Sequence, residues 1–393
     1  MIVIYTIVIY MHDSYLHDSL IMIFKIIRNN KMTKFTRRNF LIQGASALAA
    51  PAIVNSSVFA SSGELNLYTW QGYYDKAFIQ GFTRKTGIKV NHTTFGSNDE
   101  VFAKLKSNGG SGYDLAMPTL GTLNKYYEAG LTQSIDEKRI NFDDIIESVY
   151  DSTLDQDGTH NGKLQWIPAV WGSEGMTVDT SVVMKKEVGF EDLFSGEWGK
   201  RITARPKSLL ISAMRLHNPD LAKRYQDKAF MDKSFAEATK YIISKKEYIS
   251  NFWTNGTESS NAFKEGNAVI GQTWDGVGIT LSKEDSKYQY RCPSEGAYMW
   301  IDGFVIPKGA KNTDQSYTWL NYINEGRAGG MMAESSGYNS ASATGADFLS
   351  AESKKIFNKV YSKKDLEKLW IWPADPSWFN EMRQNYVNQY KVS

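Results

Sequence analysis

The sequence predicts an α/β protein of two lobes, in which each lobe is a mainly parallel sheet flanked by helices. The first observation is a strand–helix–strand–helix–strand alternation over residues 64–119, which is typical of a parallel sheet with crossover helices. The second is a long apolar segment, residues 164–179, which contains Pro168, Gly172 and Gly175 and can pass from one lobe into another. The third is the length of 393 residues, which is enough for two domains.

The first lobe begins with ELNLYTW, an alternating run of β-prone residues that ends at Trp70. Two phenylalanines one helical turn apart in DKAFIQGFTRKTG predict a helix that stops at Gly87. IKVNHTTF predicts the second strand, and Ser97 or Asn98 is the expected N-cap of the helix DEVFAKLKS. YDLAMPT predicts the third strand, so that the aromatic and hydroxyl residues at the strand ends meet at one edge of the sheet.

A second set of elements follows the apolar segment. Residues 176–290 contain the helix KSFAEATKYIISKK and the strand NAVIGQTW, after which WIDGFVIP returns to the first lobe and DQSYTWLNYINE follows as a helix. We therefore assign residues 61–170 with 300–338 to lobe 1, and residues 171–299 with 339–393 to lobe 2.

The N-terminal region has the parts of a twin-arginine export signal at residues 32–60. TRRNFL at residues 36–41 is followed by a moderately apolar run rich in small residues and by VFA before Ser61. A chance basic pair before an apolar helix is the alternative interpretation. We expect export to the periplasm and a soluble mature chain that begins at Ser61. Residues 1–31 are expected to be an upstream extension, with a membrane anchor as the alternative.

The composition excludes several classes of protein. A formal charge of +2 argues against dedicated nucleic-acid binding, and the single cysteine, Cys292, excludes an intrachain disulfide, iron–sulfur ligation and c-type haem attachment. No HExxH, GxSxG, P-loop or GxGxxG motif occurs. We therefore expect no catalytic residue, metal or cofactor. The pairs Asp143-Asp144 and Asp155/Asp157 are interpreted as solvated loop acids rather than as a catalytic pair or calcium loop.

Two tryptophans stand beside acids, in Trp274-Asp275 and in Trp300-x-Asp302. Residues i and i+2 of an extended strand share a face, so the Trp300 ring and the Asp302 carboxylate are expected to point into the same space. An alkylammonium needs this combination, because its charge requires a carboxylate while its methylenes and its charge are both favoured by ring faces. The sequence thus predicts a binding cleft for an organic cation.

The chain resembles the periplasmic spermidine/putrescine-binding proteins of ABC transporters, within the extracellular solute-binding proteins. The resemblance covers residues 64–340 and is carried by LYTWQGYYDKAFIQGFTRKTGIKV, YDLAMPT, IPAVWGSEGMTVD, VIGQTWDG, WIDGFVIPKGAKN and GYNSAS. It implies the type II periplasmic-binding-protein fold, with two lobes that close over a ligand by a hinge. It also implies a receptor rather than an enzyme, which passes its ligand to permease subunits and works as a monomer.

The resemblance implies a ligand-binding role for particular residues. They are Trp70, Tyr73, Thr119, Trp274, Asp275, Trp300, Asp302 and Tyr338, with Glu174 and Arg205 as further candidates. Two departures from the family pattern stand out. The family often has an aromatic residue near Gly121, and it has acids where this chain reads TARPKSLL, so that Arg205 and Lys207 would repel a distal ammonium or hold a carboxylate.

The sequence therefore predicts a periplasmic receptor of an ABC importer that binds a polyamine similar to putrescine or spermidine. A zwitterionic, amino-acid-like solute is the alternative, and a sugar or metal complex or a periplasmic hydrolase that uses paired acids is less favoured.

Overall fold

The computed structural model describes residues 63–218 and 220–393. Its strands are β1 (Gly63–Trp70), β2 (Ile88–Phe95), β3 (Leu115–Ala116), β4 (Thr132–Gln133), β5 (Thr159–His160), β6 (Lys163–Leu164), β7 (Ile167–Asp179), β8 (Ile202–Ala204), β9 (Ile249–Phe252), β10 (Ile270–Trp274), β11 (Tyr288–Arg291), β12 (Tyr298–Phe304), β13 (Ile306–Pro307), β14 (Asn339–Ser340) and β15 (Trp370–Ile371). Its α-helices are α1 (Lys76–Thr86), α2 (Asn98–Ser107), α3 (Asn124–Glu128), α4 (Glu147–Asp155), α5 (Pro206–His217), α6 (Lys228–Lys245), α7 (Gly256–Lys264), α8 (Asp275–Glu284), α9 (Thr313–Asn324), α10 (Gly326–Ser336), α11 (Ala351–Val360), α12 (Lys363–Leu366) and α13 (Phe379–Val392). The signal predicted at residues 32–60 and the extension before it lie outside the described residues.

The first sheet is wholly parallel and has the order β2-β1-β3. Helix α1 crosses from β1 to β2, begins at the Asp75 N-cap and ends at Gly87, whose φ of +75° is a left-handed conformation that glycine adopts without strain. Ser97 caps α2 by accepting a hydrogen bond from the Glu100 amide. The predicted strand–helix alternation of this part of the chain is confirmed.

A single long strand joins the two halves of the molecule. β7 is buried along its whole length and pairs antiparallel with β12 near its start and with β10 near its end. It lies in an eight-stranded sheet, in which six strands have the order β15-β12-β7-β10-β8-β9 and β11 and β14 also pair with β7. That sheet is mixed, because β7 opposes its neighbours while β10, β8 and β9 are parallel to one another.

The two halves have separate hydrophobic cores, and β7 contributes to both. Trp171 packs in the core formed by β1, α1 and α9, whereas Met176 packs in the core formed by α5, α6 and α13. Since opposite ends of one strand belong to different cores, a change of angle between the halves must bend or twist the pairing of β7 with its neighbours.

The C-terminal region differs from the expectation that residues 339–393 all join the second lobe. Leu349, Phe357 and Tyr361 pack in the first core, and only the last segment, from Trp370 to Tyr390, packs in the second. No helix among the described residues combines the length and apolar character needed to cross a membrane.

Candidate ligand-binding site

A cavity of about 310 Å³ is lined by residues from both cores. Strands β1 and β10 end at it, which is the edge where ligands bind in open α/β sheets. The predicted site residues that line it are Trp70, Tyr73, Thr119, Glu174, Arg205, Trp274, Trp300, Asp302 and Tyr338. Asp275 is not among the lining residues.

Asp302 is the buried carboxylate of this cavity, with 3% of its surface exposed. The pairing register of β12 shifts directly after Asp302, as in a β-bulge, and Asp302 also forms an antiparallel bridge to Thr119. The Thr119 hydroxyl donates to Oδ1 at 2.5 Å, and the Tyr73 hydroxyl donates to Oδ2 at 2.5 Å. Burial raises the pKa of Asp302 to about 7, although both hydrogen bonds act in the opposite direction.

Aromatic rings surround this carboxylate. The Tyr73 and Trp300 rings are nearly parallel, with centroids 6.4 Å apart and an interplanar angle of 13°. Tyr338 meets both edge-on, at centroid distances of 5.1 and 5.5 Å. Trp70 meets Trp274 edge-on at 6.0 Å. The predicted combination of ring walls and a carboxylate is therefore present in one cavity.

Asp275 lies behind this ring wall and not in the cavity. It is the first residue of α8, has no exposed surface, and accepts a hydrogen bond from the Tyr361 hydroxyl at Oδ2. Its Oδ1 has no hydrogen-bond partner among the described residues. The carboxylate and the Trp300 ring both lie against Gly172, where an added Cβ would come within 2.6 Å of Asp275 Oδ1 and 2.5 Å of Trp300. Burial raises the pKa of Asp275 to about 7.

Glu174 and Arg205 form an ion pair in the cavity wall. Arg205 Nη1 donates to Glu174 Oε2 at 2.9 Å. The guanidinium group lies over the Trp274 ring at 5.0 Å and near the Trp253 ring at 5.7 Å from the centroid. Glu174 is therefore paired with Arg205 through Oε2, while its buried Oε1 has no hydrogen-bond partner among the described residues.

Gly121 explains the missing aromatic residue. Its φ of +88° is left-handed, and an added Cβ would lie 3.4 Å from the Ala374 Cα. The Asp375 amide donates to the Gly121 carbonyl at 2.8 Å, so the C-terminal segment lies directly against this loop. Trp372 from the same segment lines the cavity. It gives the cavity another ring from a distant part of the chain.

Asp157 was expected to be a solvated loop acid, and this interpretation is wrong. It is 5% exposed, and its carboxylate accepts hydrogen bonds from the Gly121 and Leu123 amides at 2.7 Å each. Burial raises the pKa of Asp157 to about 6. Its role is to hold the loop that follows Thr119.

Several lining residues were not predicted from the sequence, namely Trp253, Trp372, Lys125 and Arg383. The tryptophans carried no neighbouring acid, and the two basic residues lie in otherwise ordinary helices, so no local pattern marked them. Within residues 63–218 and 220–393, no three His, Cys, Asp or Glu side chains are grouped as a metal ion would require.

Comparison with known proteins identifies the family. Residues 77–357 match the bacterial extracellular solute-binding proteins, which is more than half of the chain.

The chain belongs to the bacterial extracellular solute-binding protein family.

This membership confirms the prediction of a binding protein rather than an enzyme. The spermidine/putrescine-binding periplasmic protein of Escherichia coli is 24% identical over 360 residues, covering 90% of this chain and 98% of that protein. A putrescine-binding periplasmic protein of Pseudomonas aeruginosa is 23% identical over 350 residues, covering 84% of this chain and 92% of that protein. A solved structure of a putative spermidine/putrescine ABC transporter protein from Listeria monocytogenes superposes with a TM-score of 0.70 at 22% identity, covering 84% of this chain and 99% of that one. The two-lobed α/β fold of type II periplasmic binding proteins is thereby confirmed for this solute-binding protein.

Proposed function

We propose that the chain is the periplasmic receptor of an ABC importer and that it captures an organic amine in the cavity between its two cores. The observation that carries the proposal is Asp302, a buried carboxylate within a box of aromatic rings. Polyamines such as putrescine and spermidine are the first candidate ligands, since relatives of similar length carry those names.

The chemistry of Asp302 favours an ammonium ligand. Its two hydrogen-bond donors, Thr119 and Tyr73, are neutral, and Arg205, whose charge lowers the pKa of Asp302, is paired with Glu174. A buried carboxylate without a directly bonded cation is costly, and a ligand ammonium would supply that cation. The ring faces would add roughly 0.5–2 kcal/mol of cation–π attraction.

The test is calorimetric titration of residues 61–393 with putrescine and spermidine. We expect Asp302→Asn to weaken amine binding by about 2–5 kcal/mol, because it removes one partner of a buried charge pair. Asp347→Asn is the matched control, because that carboxylate is exposed. If no amine binds at millimolar concentration, or if Asp302→Asn binds like the control, the proposal fails.

The export route, the lobe boundaries and the oligomeric state belong to the same proposal. We expect export by the twin-arginine pathway, so that changing Arg37 and Arg38 to lysine should keep the precursor in the cytoplasm. We expect the lobes to divide within β7 and to close over the ligand as a monomer, with permease subunits as partners. Genes for a permease and an ATPase beside this one would favour transport, whereas a chemoreceptor gene would favour sensing.

A further inference from the structure

A second group of charged residues lines the same cavity, and most of them are basic. The basic lining residues are Arg205, Lys207, Lys125, Arg383 and Lys391, and the acidic ones are Asp302, Glu174, Asp99 and Asp375. Five basic side chains thus face four carboxylates, which leaves one positive charge without a counter-ion in the lining. We call Arg205, Lys207, Lys125 and Arg383 the basic end of the cavity.

The neighbouring carboxylates do not give each cation of the basic end an ion-pair partner of its own. Asp99 is shared, because it contacts Lys207 directly and lies 3.9 Å from Lys125. Arg383 is only 7% exposed, yet its nearest carboxylate oxygen, on Asp375, is 3.7 Å away, outside hydrogen-bonding range. Its Nε has no hydrogen-bond partner among the described residues. A buried guanidinium that lacks a bonded anion favours the arrival of one.

Arg205 connects the basic end to the ammonium site. Its charge lowers the pKa of both Asp302 and Lys207, so it lies within electrostatic reach of each. Only Nη1 of its guanidinium donates a hydrogen bond to a described residue, which leaves its other N–H groups available in the cavity wall. Arg205 lies over the Trp274 ring, and a guanidinium group can bind a carboxylate through two parallel hydrogen bonds.

From this geometry we infer that the solute carries a carboxylate, bound by Arg205 and Lys207 in the field of Arg383, in addition to the ammonium group bound by Asp302. The solute class is then a zwitterion with separated charges, such as an ω-amino acid, rather than a diamine. This inference rests on the proposed amine-binding function and narrows it. A diamine would place its second ammonium group beside the basic end, and the repulsion between like charges would weaken the binding of a diamine.

The test compares solutes of matched carbon chains by calorimetry with residues 61–393. Putrescine and γ-aminobutyrate have the same chain and differ in one end group, and longer pairs of diamines and ω-amino acids extend the series. Butylamine carries the ammonium group alone. We expect the best ω-amino acid to bind at least about tenfold more tightly than the diamine of the same length.

Charge-removing variants assign the effect to the basic end. Arg205→Gln and Lys207→Gln should each lower the affinity for the ω-amino acid, relative to the affinity for butylamine, by about tenfold or more. Lys240→Gln is the control, because Lys240 is an exposed lysine of α6. Thermal melting of each variant separates a binding effect from loss of the fold.

The outcomes separate the two proposals. Tighter binding of diamines than of ω-amino acids, or equal loss of butylamine and ω-amino acid in Arg205→Gln, overturns the carboxylate subsite and leaves the amine receptor standing. Failure of every amine, including butylamine and spermidine, overturns the amine receptor itself. Recovery of a bound zwitterion from the purified protein by mass spectrometry would support both.

Discussion

Replacing Asp302 with asparagine should make the ligand-free protein more stable, although the same change removes the proposed ammonium anchor. The carboxylate is 3% exposed, and its direct hydrogen-bond partners are the hydroxyls of Thr119 and Tyr73. Asparagine has the same shape and no charge. The variant therefore isolates the cost of holding this charge in the fold.

The magnitude follows from the pKa of Asp302, which burial raises from an ordinary value of 3.8 to about 7. The folded protein keeps a proton that the unfolded chain releases above about pH 4, so stability falls as the pH rises from about 4 to about 7. The difference in pKa corresponds to about 4 kcal/mol at pH 8 and about 2 kcal/mol at pH 5. Asparagine loses about 1 kcal/mol of hydrogen bonding with Thr119 or Tyr73, which leaves a net gain of about 3 kcal/mol at pH 8 and about 1 kcal/mol at pH 5.

The assay is urea unfolding of residues 61–393 at the two pH values, with Asp347→Asn as the control for an exposed carboxylate. The free energy of unfolding of Asp302→Asn should exceed that of the wild type, and the excess should be larger at pH 8. If the variant is not more stable than the wild type, or if the difference is the same at both pH values, the view that Asp302 is a buried acid with a raised pKa is refuted.

Three further predictions concern the same region. Amine affinity should fall as the pH is lowered below about 7, because only ionised Asp302 pairs with an ammonium, and a flat calorimetric profile from pH 8 to pH 5 would contradict this. Relative to the wild type, Asp157→Asn should gain about 1 kcal/mol in the free energy of unfolding between pH 5 and pH 8, because burial raises the pKa of the carboxyl group it replaces to about 6, and a difference in urea unfolding that does not change with pH would contradict this. Gly121→Leu should cost more stability than Gly162→Leu, because both glycines have a left-handed φ but a side chain longer than a methyl group has open space only at Gly162 and meets Ala374 at Gly121; equal losses in thermal melting would contradict this.

Periodic and capping signals are the reason that the fold could be predicted. The alternation in ELNLYTW, the turn-spaced phenylalanines of α1 and the Gly87 stop are local features, and each element they predicted is present. The destination of residues 349–361 could not be predicted in the same way. Those residues form an amphipathic helix that fits either core, and only the three-dimensional arrangement decides which core receives it.

Site residues were predictable where their spacing within a strand determines which way their side chains point. Trp300 and Asp302 share a face of β12, and both line the cavity. The same reasoning does not transfer to Trp274 and Asp275, because the strand ends at the first and the helix begins at the second. The change of backbone conformation turns the carboxylate away from the cavity.

Residues brought from distant parts of the chain were beyond sequence reasoning. Asp157 meets the backbone of Gly121 across more than thirty residues, and Trp372 reaches the cavity from the C-terminal segment. Arg383 lies in α13 without any neighbouring motif. Such contacts depend on tertiary packing, which leaves no periodic trace in the sequence.

The absence of a side chain at Gly172 fixes how far back the Trp300 indole can sit. A methyl group there would press on the ring and on the Asp275 carboxylate, which lies outside the cavity, so it would displace the Trp300 wall while the charged residues that line the cavity are not touched. Substitution at this one position is thus a simple way in which related receptors can come to bind shorter solutes. The length of the solute and the chemistry of its end groups are thereby determined by different residues, and each can change while the other is kept.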